Sequence, residues 1–194
     1  MRIFVAAFPS PEAQQAAFGV IGRLRRSGDG VSWVRRESLH YTLRFMGELE
    51  EDALTRVIEA ASEAAGGLVP FAARLGGLGA YPDARRARVL WLGLSEGAES
   101  LVALAQALER ALVARGFAAA ERPFSPHLTL GRPRRGGEDW SARLAAGGVE
   151  PQGAPSPEPS FTVDRVRVVH STLSPGGSIY KVRAEAALGA ARSA

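Results

Sequence analysis

Three histidines offer the clearest chemistry in the chain, because each begins the same pattern of His, any residue, Thr, Leu. They are His40, His127 and His170, and the chain has no other histidine and only five threonines. In a strand, residues i and i+2 point to the same side, so each pattern presents an imidazole beside a hydroxyl. Imidazole acts as an acid or a base near neutrality. Two such patterns facing each other suit an in-line displacement at phosphorus, in which one histidine deprotonates water and the other protonates the leaving oxygen.

His40 and His127 form the better pair, since about half the chain separates them and each follows a loop. His170 shares its strand face with Val168 and Val166, so we expect it to have a structural role. A metal site is the alternative use of histidines, but it needs three or four ligands. The sequence has no close pair of histidines and no nearby acidic cluster, so we predict neither a metal nor a cofactor.

The first pattern lies in a segment, 39–46, whose residues alternate in polarity as in a half-buried strand. Four apolar residues fall on one face, which we expect to be the core: Leu39, Tyr41, Leu43 and Phe45. His40, Thr42 and Arg44 fall on the other face, which we expect to be open.

Strands and helices alternate along the rest of the chain and end in hairpins, which predicts an α+β fold with antiparallel sheets. The predicted strands are 2–8, 31–34, 39–46, 71–75, 88–94 and 124–132, and the final hairpin is 161–173 with 178–183. Four helices are predicted. The first is opened by residues 9–12 and runs to about 26, and the others cover 50–65, 98–115 and 138–145. The basic segments 76–86 and 132–137 and the proline-rich 151–159 are predicted loops, and 185–194 a frayed tail.

Composition narrows the class of protein further. The chain has 194 residues, a net charge of +4 and no cysteine, which excludes a disulfide scaffold, a thiolate zinc site and a cysteine nucleophile. No apolar run approaches the roughly 20 residues that span a bilayer, and the N-terminus does not resemble a signal peptide. We therefore expect a cytoplasmic protein without membrane contact. The excess positive charge favours a polyanionic partner.

Two segments carry a resemblance to a known family. Residues 33–48 resemble the first signature of the RNA 2',3'-cyclic phosphodiesterases, which belong to the two-histidine phosphoesterases and were formerly called 2'-5' RNA ligases. Residues 123–132 resemble the second signature, and segments 2–6 and 171–180 are similar to the family's ends. The resemblance covers essentially the whole chain.

The resemblance implies one domain over 1–194 with two lobes related by a pseudo-twofold axis. Two antiparallel β-sheets would face a central cleft, with helices on the outside. It further implies that His40 is the proton donor and His127 the proton acceptor, and that Thr42 and Thr129 help to hold the cyclic phosphate.

Five further residues are candidates for binding substrate. Arg132 and Ser171 match family positions, so the resemblance implies that they contact the phosphate or the RNA. Arg44 is a candidate because it shares a strand face with the first motif. Phe4 and Tyr180 are candidates for stacking on a terminal base, although either could belong to the core.

The activity implied is hydrolysis of RNA 2',3'-cyclic phosphate ends to 2'-phosphomonoesters by two-histidine acid–base catalysis, with reversal as 2'-5' RNA ligation. The expected partners are such RNA ends, tRNA fragments among them, and the expected enzyme is a monomer. Two alternatives stay open. One is a phosphodiesterase for small cyclic nucleotides or ADP-ribose cyclic phosphate, and the other is an RNA- or nucleotide-binding module without catalysis.

Overall fold

The computed structural model of the chain describes residues 1–134, 138–147, 160–174 and 177–189. The strands are β1 (Arg2–Ala7), β2 (Val31–Trp33), β3 (Tyr41–Glu48), β4 (Phe71–Tyr81), β5 (Val89–Glu96), β6 (Leu128–Pro133), β7 (Ser160–Val163), β8 (Arg165–Ser174) and β9 (Gly177–Ala187). The helices are α1 (Pro11–Leu24), α2 (Glu51–Gly66), α3 (Ala98–Ala114) and α4 (Ser141–Ala146). The predicted α+β class is confirmed. The predicted loop 151–159 lies outside the described residues.

The described strands form one antiparallel sheet in the order β7-β4-β5-β6-β3-β1-β8-β9, and β2 pairs with the free part of β6. The two halves of this sheet meet where β3 lies beside β6. Within the described part of the chain, the pairing of these two strands consists of Tyr41 with Leu128. The two sheets that we predicted are thus the two halves of one sheet, joined by a narrow contact directly beside both histidine motifs.

The main core lies between one face of this sheet and the helices α1, α2 and α3. The helix predicted over 98–115 is confirmed as α3, and its four leucines, which recur at helical spacing, are all buried: Leu101, Leu104, Leu108 and Leu112. Burying one such side chain contributes roughly 1.5–3 kcal/mol. Tyr41 and Leu128 are fully buried in the same core, and the Tyr41 hydroxyl donates to the Gly93 carbonyl of β5 at 3.3 Å. The junction between the two half-sheets is therefore tightly packed.

The glycine-rich segment after residue 75 is a strand and not the loop that its composition predicts. β4 continues through it to Tyr81 and pairs with β5 from Arg74 to Tyr81, whereas its first residues pair with β7. A Cβ atom on Gly79 would come within 2.2 Å of the Trp91 ring, so the bare glycine makes room for that indole. Gly77 has a φ of +73° beside a register shift in the pairing, a conformation that glycine adopts readily.

Among the predicted boundaries that the structure corrects, two bear on the site. The strand predicted from 124 begins only at Leu128, so His127 lies just before β6. The predicted tail, 185–194, is strand as far as Ala187, because β9 pairs with β8 to that point. Leu188 is then buried, and its N–H donates to the Asp164 carbonyl. This contact fixes the end of β9, which carries Tyr180 into the region of the first motif.

Candidate active site

The two histidine motifs come together at the junction of the half-sheets. Tyr41 pairs with Leu128, and both side chains point into the core, so their neighbours point to the opposite face. Continued by one residue in each direction, this antiparallel register sets His40 across from Thr129 and Thr42 across from His127. All four of these side chains line one cleft. The sheet register therefore converts two motifs that are distant in the sequence into one group of two imidazoles and two hydroxyls.

Each histidine ring is anchored in the same way, to the carbonyl of the serine two residues before it. Nδ1 of His40 lies 2.7 Å from the Ser38 oxygen, and Nδ1 of His127 lies 2.8 Å from the Ser125 oxygen. A carbonyl only accepts, so Nδ1 carries the proton in both rings and Nε2 is left for chemistry. The sequence analysis missed these serines, although the repeated Ser-x-His spacing was a signal that could have found them.

Three aromatic rings surround His40. Phe4 stacks on it with 4.7 Å between ring centres, and Phe8 and Tyr180 lie at 5.3 and 5.4 Å. Burial among these rings lowers the pKa of His40 from 6.5 to about 4. The Ser38 carbonyl opposes this shift, while the charges of His127 and Arg132 add to it. In the free protein His40 is consequently neutral at pH 7.

His127 has a different environment, in which one aromatic ring among the described residues contacts it. The ring of Tyr81 meets it edge-on, with 5.4 Å between ring centres. The Tyr81 hydroxyl is hydrogen-bonded to the Ser125 hydroxyl at 3.1 Å, so it also braces the residue that anchors His127. Tyr81 escaped the sequence analysis because it falls in the segment predicted to be a loop. The two histidines are thus alike in their anchoring and unlike in their surroundings.

The cleft around the motifs has a volume of about 1370 Å³. Its lining includes Arg132 from β6, Ser171 from β8 and Tyr180 from β9. The Arg132 side chain is exposed, and its charge lowers the pKa of Tyr180 against the larger, opposite effect of burial. An exposed guanidinium beside two imidazoles and two hydroxyls makes the floor of the cleft suitable for an anion such as a phosphate.

The comparison with known families agrees with this geometry. Residues 9–174 match the family model described as the 2'-5' RNA ligase superfamily. The chain belongs to this superfamily. Among curated members, it is 32% identical to the RNA 2',3'-cyclic phosphodiesterase of Thermotoga maritima over 182 residues, which cover 94% of this chain and 92% of that protein. It is 34% identical to the Archaeoglobus fulgidus protein of the same name, over 93% of this chain and 97% of that protein.

Two solved structures have a fold similar to that of this chain. The crystal structure of TT0787 of Thermus thermophilus superposes with a TM-score of 0.77 at 27% identity, covering 97% of this chain and 98% of that one. E. coli LigT complexed with 3'-AMP superposes with a TM-score of 0.74 at 24% identity, covering 96% and 97%. At that identity the second likeness concerns the fold alone.

In this member of the superfamily, the strand of the first motif departs from the predicted alternation. β3 pairs with β1 through Ala6–Thr42 and then Val5–Arg44, which leaves Leu43 as an extra residue between the pairs. Such a bulge reverses the alternation beyond it. The prediction that Phe45 belongs to the core is therefore wrong, because Phe45 is 51% exposed and lines the cleft.

The same bulge directs Arg44 toward α3. Its guanidinium forms an ion pair with Glu109 of that helix at 3.3 Å and donates to the Ala118 carbonyl at 2.7 Å. Arg44 lines the cleft, as the sequence analysis expected. Its guanidinium, however, is already bonded to α3 and to the segment that follows that helix. The geometry supports a bracing role for Arg44 better than direct contact with a substrate.

Phe4, one of the two candidates for stacking on a base, is almost completely buried. Phe4 borders the cleft but is only 4% exposed, and its ring packs on His40 and Tyr180. A base could not stack on so enclosed a ring, so Phe4 supports His40 instead. His170 is absent from the cleft lining; it pairs with Ile3, a core residue of β1, which is in keeping with a structural role.

Two searches of the described residues complete the site. Across 1–134, 138–147, 160–174 and 177–189, no group of three or more histidine, aspartate or glutamate side chains is placed to hold a metal ion. Within those same ranges, no helix has the length and apolar character needed to cross a membrane.

Proposed function

We propose that this chain hydrolyses the 2',3'-cyclic phosphate ends of RNA to 2'-phosphomonoesters. The curated relatives named RNA 2',3'-cyclic phosphodiesterase support the substrate class. One observation carries the mechanism: His40 and His127, each with Nδ1 held by a backbone carbonyl, line one cleft with Thr42 and Thr129. Paired imidazoles with adjacent hydroxyl donors are the groups that a metal-independent displacement at phosphorus requires.

His127 is the proton acceptor in this proposal. With Nδ1 donating to the Ser125 carbonyl, its Nε2 has a free lone pair that can remove a proton from water. The water oxygen then forms a bond to phosphorus from the side opposite the leaving oxygen. This role suits the more open of the two rings, since water must reach it.

His40 is the proton donor, and the bound phosphate is what makes it one. In the free protein burial keeps His40 neutral. An anionic phosphate beside Nε2 favours the charged form and raises the pKa again. As the bond between phosphorus and O3' breaks, the Nε2 proton of His40 passes to O3'. The RNA product with its 2'-phosphate leaves, and His127 releases its proton to solvent. His40 takes up a new proton from solvent when the next phosphate binds.

Thr42, Thr129 and Arg132 stabilise the charge that develops on the non-bridging oxygens. The two hydroxyls lie beside the imidazoles on the same cleft face, and Arg132 adds an exposed guanidinium to the cleft lining. Donors fixed before the reaction need no reorganisation as the charge grows. Removing one such donor from an active site costs on the order of 10²–10³ in rate.

The proposal extends to the setting in which the reaction occurs. Both motifs belong to one chain and meet in one cleft, so we propose that the monomer is active, with neither metal nor cofactor. We propose cytoplasmic RNA ends as substrates, tRNA fragments among them, and 2'-5' ligation as the reverse of the same chemistry.

The test is hydrolysis of an oligoribonucleotide with a 2',3'-cyclic phosphate end, in EDTA and in water enriched in ¹⁸O. We expect one ¹⁸O atom per phosphate and a 2'-phosphate product, both read by ³¹P nuclear magnetic resonance. A 3'-phosphate product would contradict the assigned leaving oxygen. Absence of turnover would contradict the proposed function as a whole.

A further inference from the structure

Phe45 is a large apolar side chain in an exposed position beside the candidate active site. The bulge at Leu43 turns it onto the cleft face of β3, where half of its surface is open. Exposing an aromatic ring to water is costly, and neither the core nor the two histidines use its open face. Aromatic side chains are common in the lining of ligand sites, so this ring is placed to contact a ligand in the cleft.

A positive charge accompanies this ring. The guanidinium carbon of Arg2 lies 5.1 Å from the centre of the Phe45 ring, a cation–π contact. Arg2 lines the same cleft, and within the described ranges no carboxylate forms an ion pair with it. The pair therefore combines an apolar face with an unneutralised charge. Those are the two features with which proteins hold single-stranded nucleic acid, through base stacking and phosphate attraction.

The position of Phe45 fits the nucleotide that precedes the reacting one. Phe45 of β3 pairs with Phe4 of the neighbouring strand β1, and the Phe4 ring stacks on the imidazole of His40. Phe45 therefore lies one strand away from the ring that packs on His40. The cleft volume of about 1370 Å³ exceeds the roughly 300–1,000 Å³ typical of pockets for one small ligand. Leu173 of β8, 69% exposed, lines the same cleft. The cleft therefore has room and apolar surface for a second nucleotide next to the one that carries the cyclic phosphate.

We propose that Phe45 and Arg2 form a subsite for the nucleotide on the 5' side of the cyclic phosphate end, with its base stacked on the Phe45 ring and a phosphate near Arg2. This inference rests on the proposed function and adds to it a contact with a second nucleotide of the RNA chain. A lone cyclic mononucleotide occupies the histidines and leaves this subsite empty.

The experiment compares a trinucleotide ending in a 2',3'-cyclic phosphate with the matching 2',3'-cyclic mononucleotide. In Phe45→Ala, we expect the ratio of the two kcat/KM values to fall about five- to 150-fold, chiefly through KM of the trinucleotide, which is the range for loss of one stacked base. Phe45→Trp should retain the wild-type ratio. Phe18→Ala is the matched control, because Phe18 is a 39% exposed phenylalanine on α1, outside this cleft.

The outcomes separate this inference from the function on which it rests. An unchanged ratio in Phe45→Ala would overturn the subsite, and so would an equal loss on both substrates. If the wild type hydrolyses neither substrate, the proposed function fails. Binding of a trinucleotide with a 3'-phosphate then decides the subsite alone: a Kd raised in Phe45→Ala supports it, and an equal Kd overturns it.

Discussion

Acidification should destabilise the protein through His40 in particular. Burial lowers the pKa of this imidazole from 6.5 to about 4 in the folded state. Between these values the unfolded chain binds a proton that the folded protein does not, so stability is lost as the pH falls from 6.5 toward 4 and is fully present above 6.5. The shift of about 2.5 pKa units corresponds to roughly 3 kcal/mol in total. About 2 kcal/mol of it is lost between pH 7.5 and pH 5.

The assay is urea unfolding, followed by circular dichroism, of the wild type and of His40→Asn at both pH values. The asparagine amide can still donate to the Ser38 carbonyl but does not titrate. All other titrating groups are common to the two proteins, so the difference between their free energies of unfolding isolates His40. We expect the wild type to lose about 2 kcal/mol more than His40→Asn on acidification. Equal losses would refute the conclusion that the aromatic rings desolvate His40.

Three further predictions follow from the site and the fold. The kcat/KM profile should bend near pH 4, where His40 of the free protein titrates; a profile with no inflection below pH 5 would contradict this. Tyr81→Ala should lower kcat roughly tenfold or more without unfolding the protein, because its ring positions His127, whereas kcat unchanged in steady-state assays would remove that role. Gly79→Ala should cost roughly 1–3 kcal/mol in urea unfolding, because its Cβ meets Trp91, while Gly22→Ala, with open space in a helix, should not destabilise.

The parts of the site that depend on local sequence were predictable. A His-x-Thr step places both side chains on one face wherever the segment is extended, and the structure brings the four predicted side chains to one cleft. The helix predicted over 98–115 was equally predictable and is α3. The two serines that anchor the imidazoles were present in the same repeated pattern, two residues before each histidine.

The parts that depend on a partner strand were not predictable from the chain alone. Strict alternation assigns Phe45 to the core, but the register between β3 and β1 skips Leu43, and only the pairing partner determines that bulge. The sequence analysis assigned the basic segment 76–86 to a loop, whereas β4 runs through Gly79, which packs against Trp91, as far as Tyr81. In both cases tertiary contacts override a valid local preference.

The central claim is that His40 and His127 act together as acid and base, and single-turnover hydrolysis of a cyclic-phosphate RNA tests it most directly. We expect His40→Ala and His127→Ala each to slow the chemical step by about 10²–10⁴ while remaining folded. His170→Ala, outside the cleft lining, should retain activity. Wild-type rates in either of the first two variants, or an equal loss in a folded His170→Ala, would contradict the account.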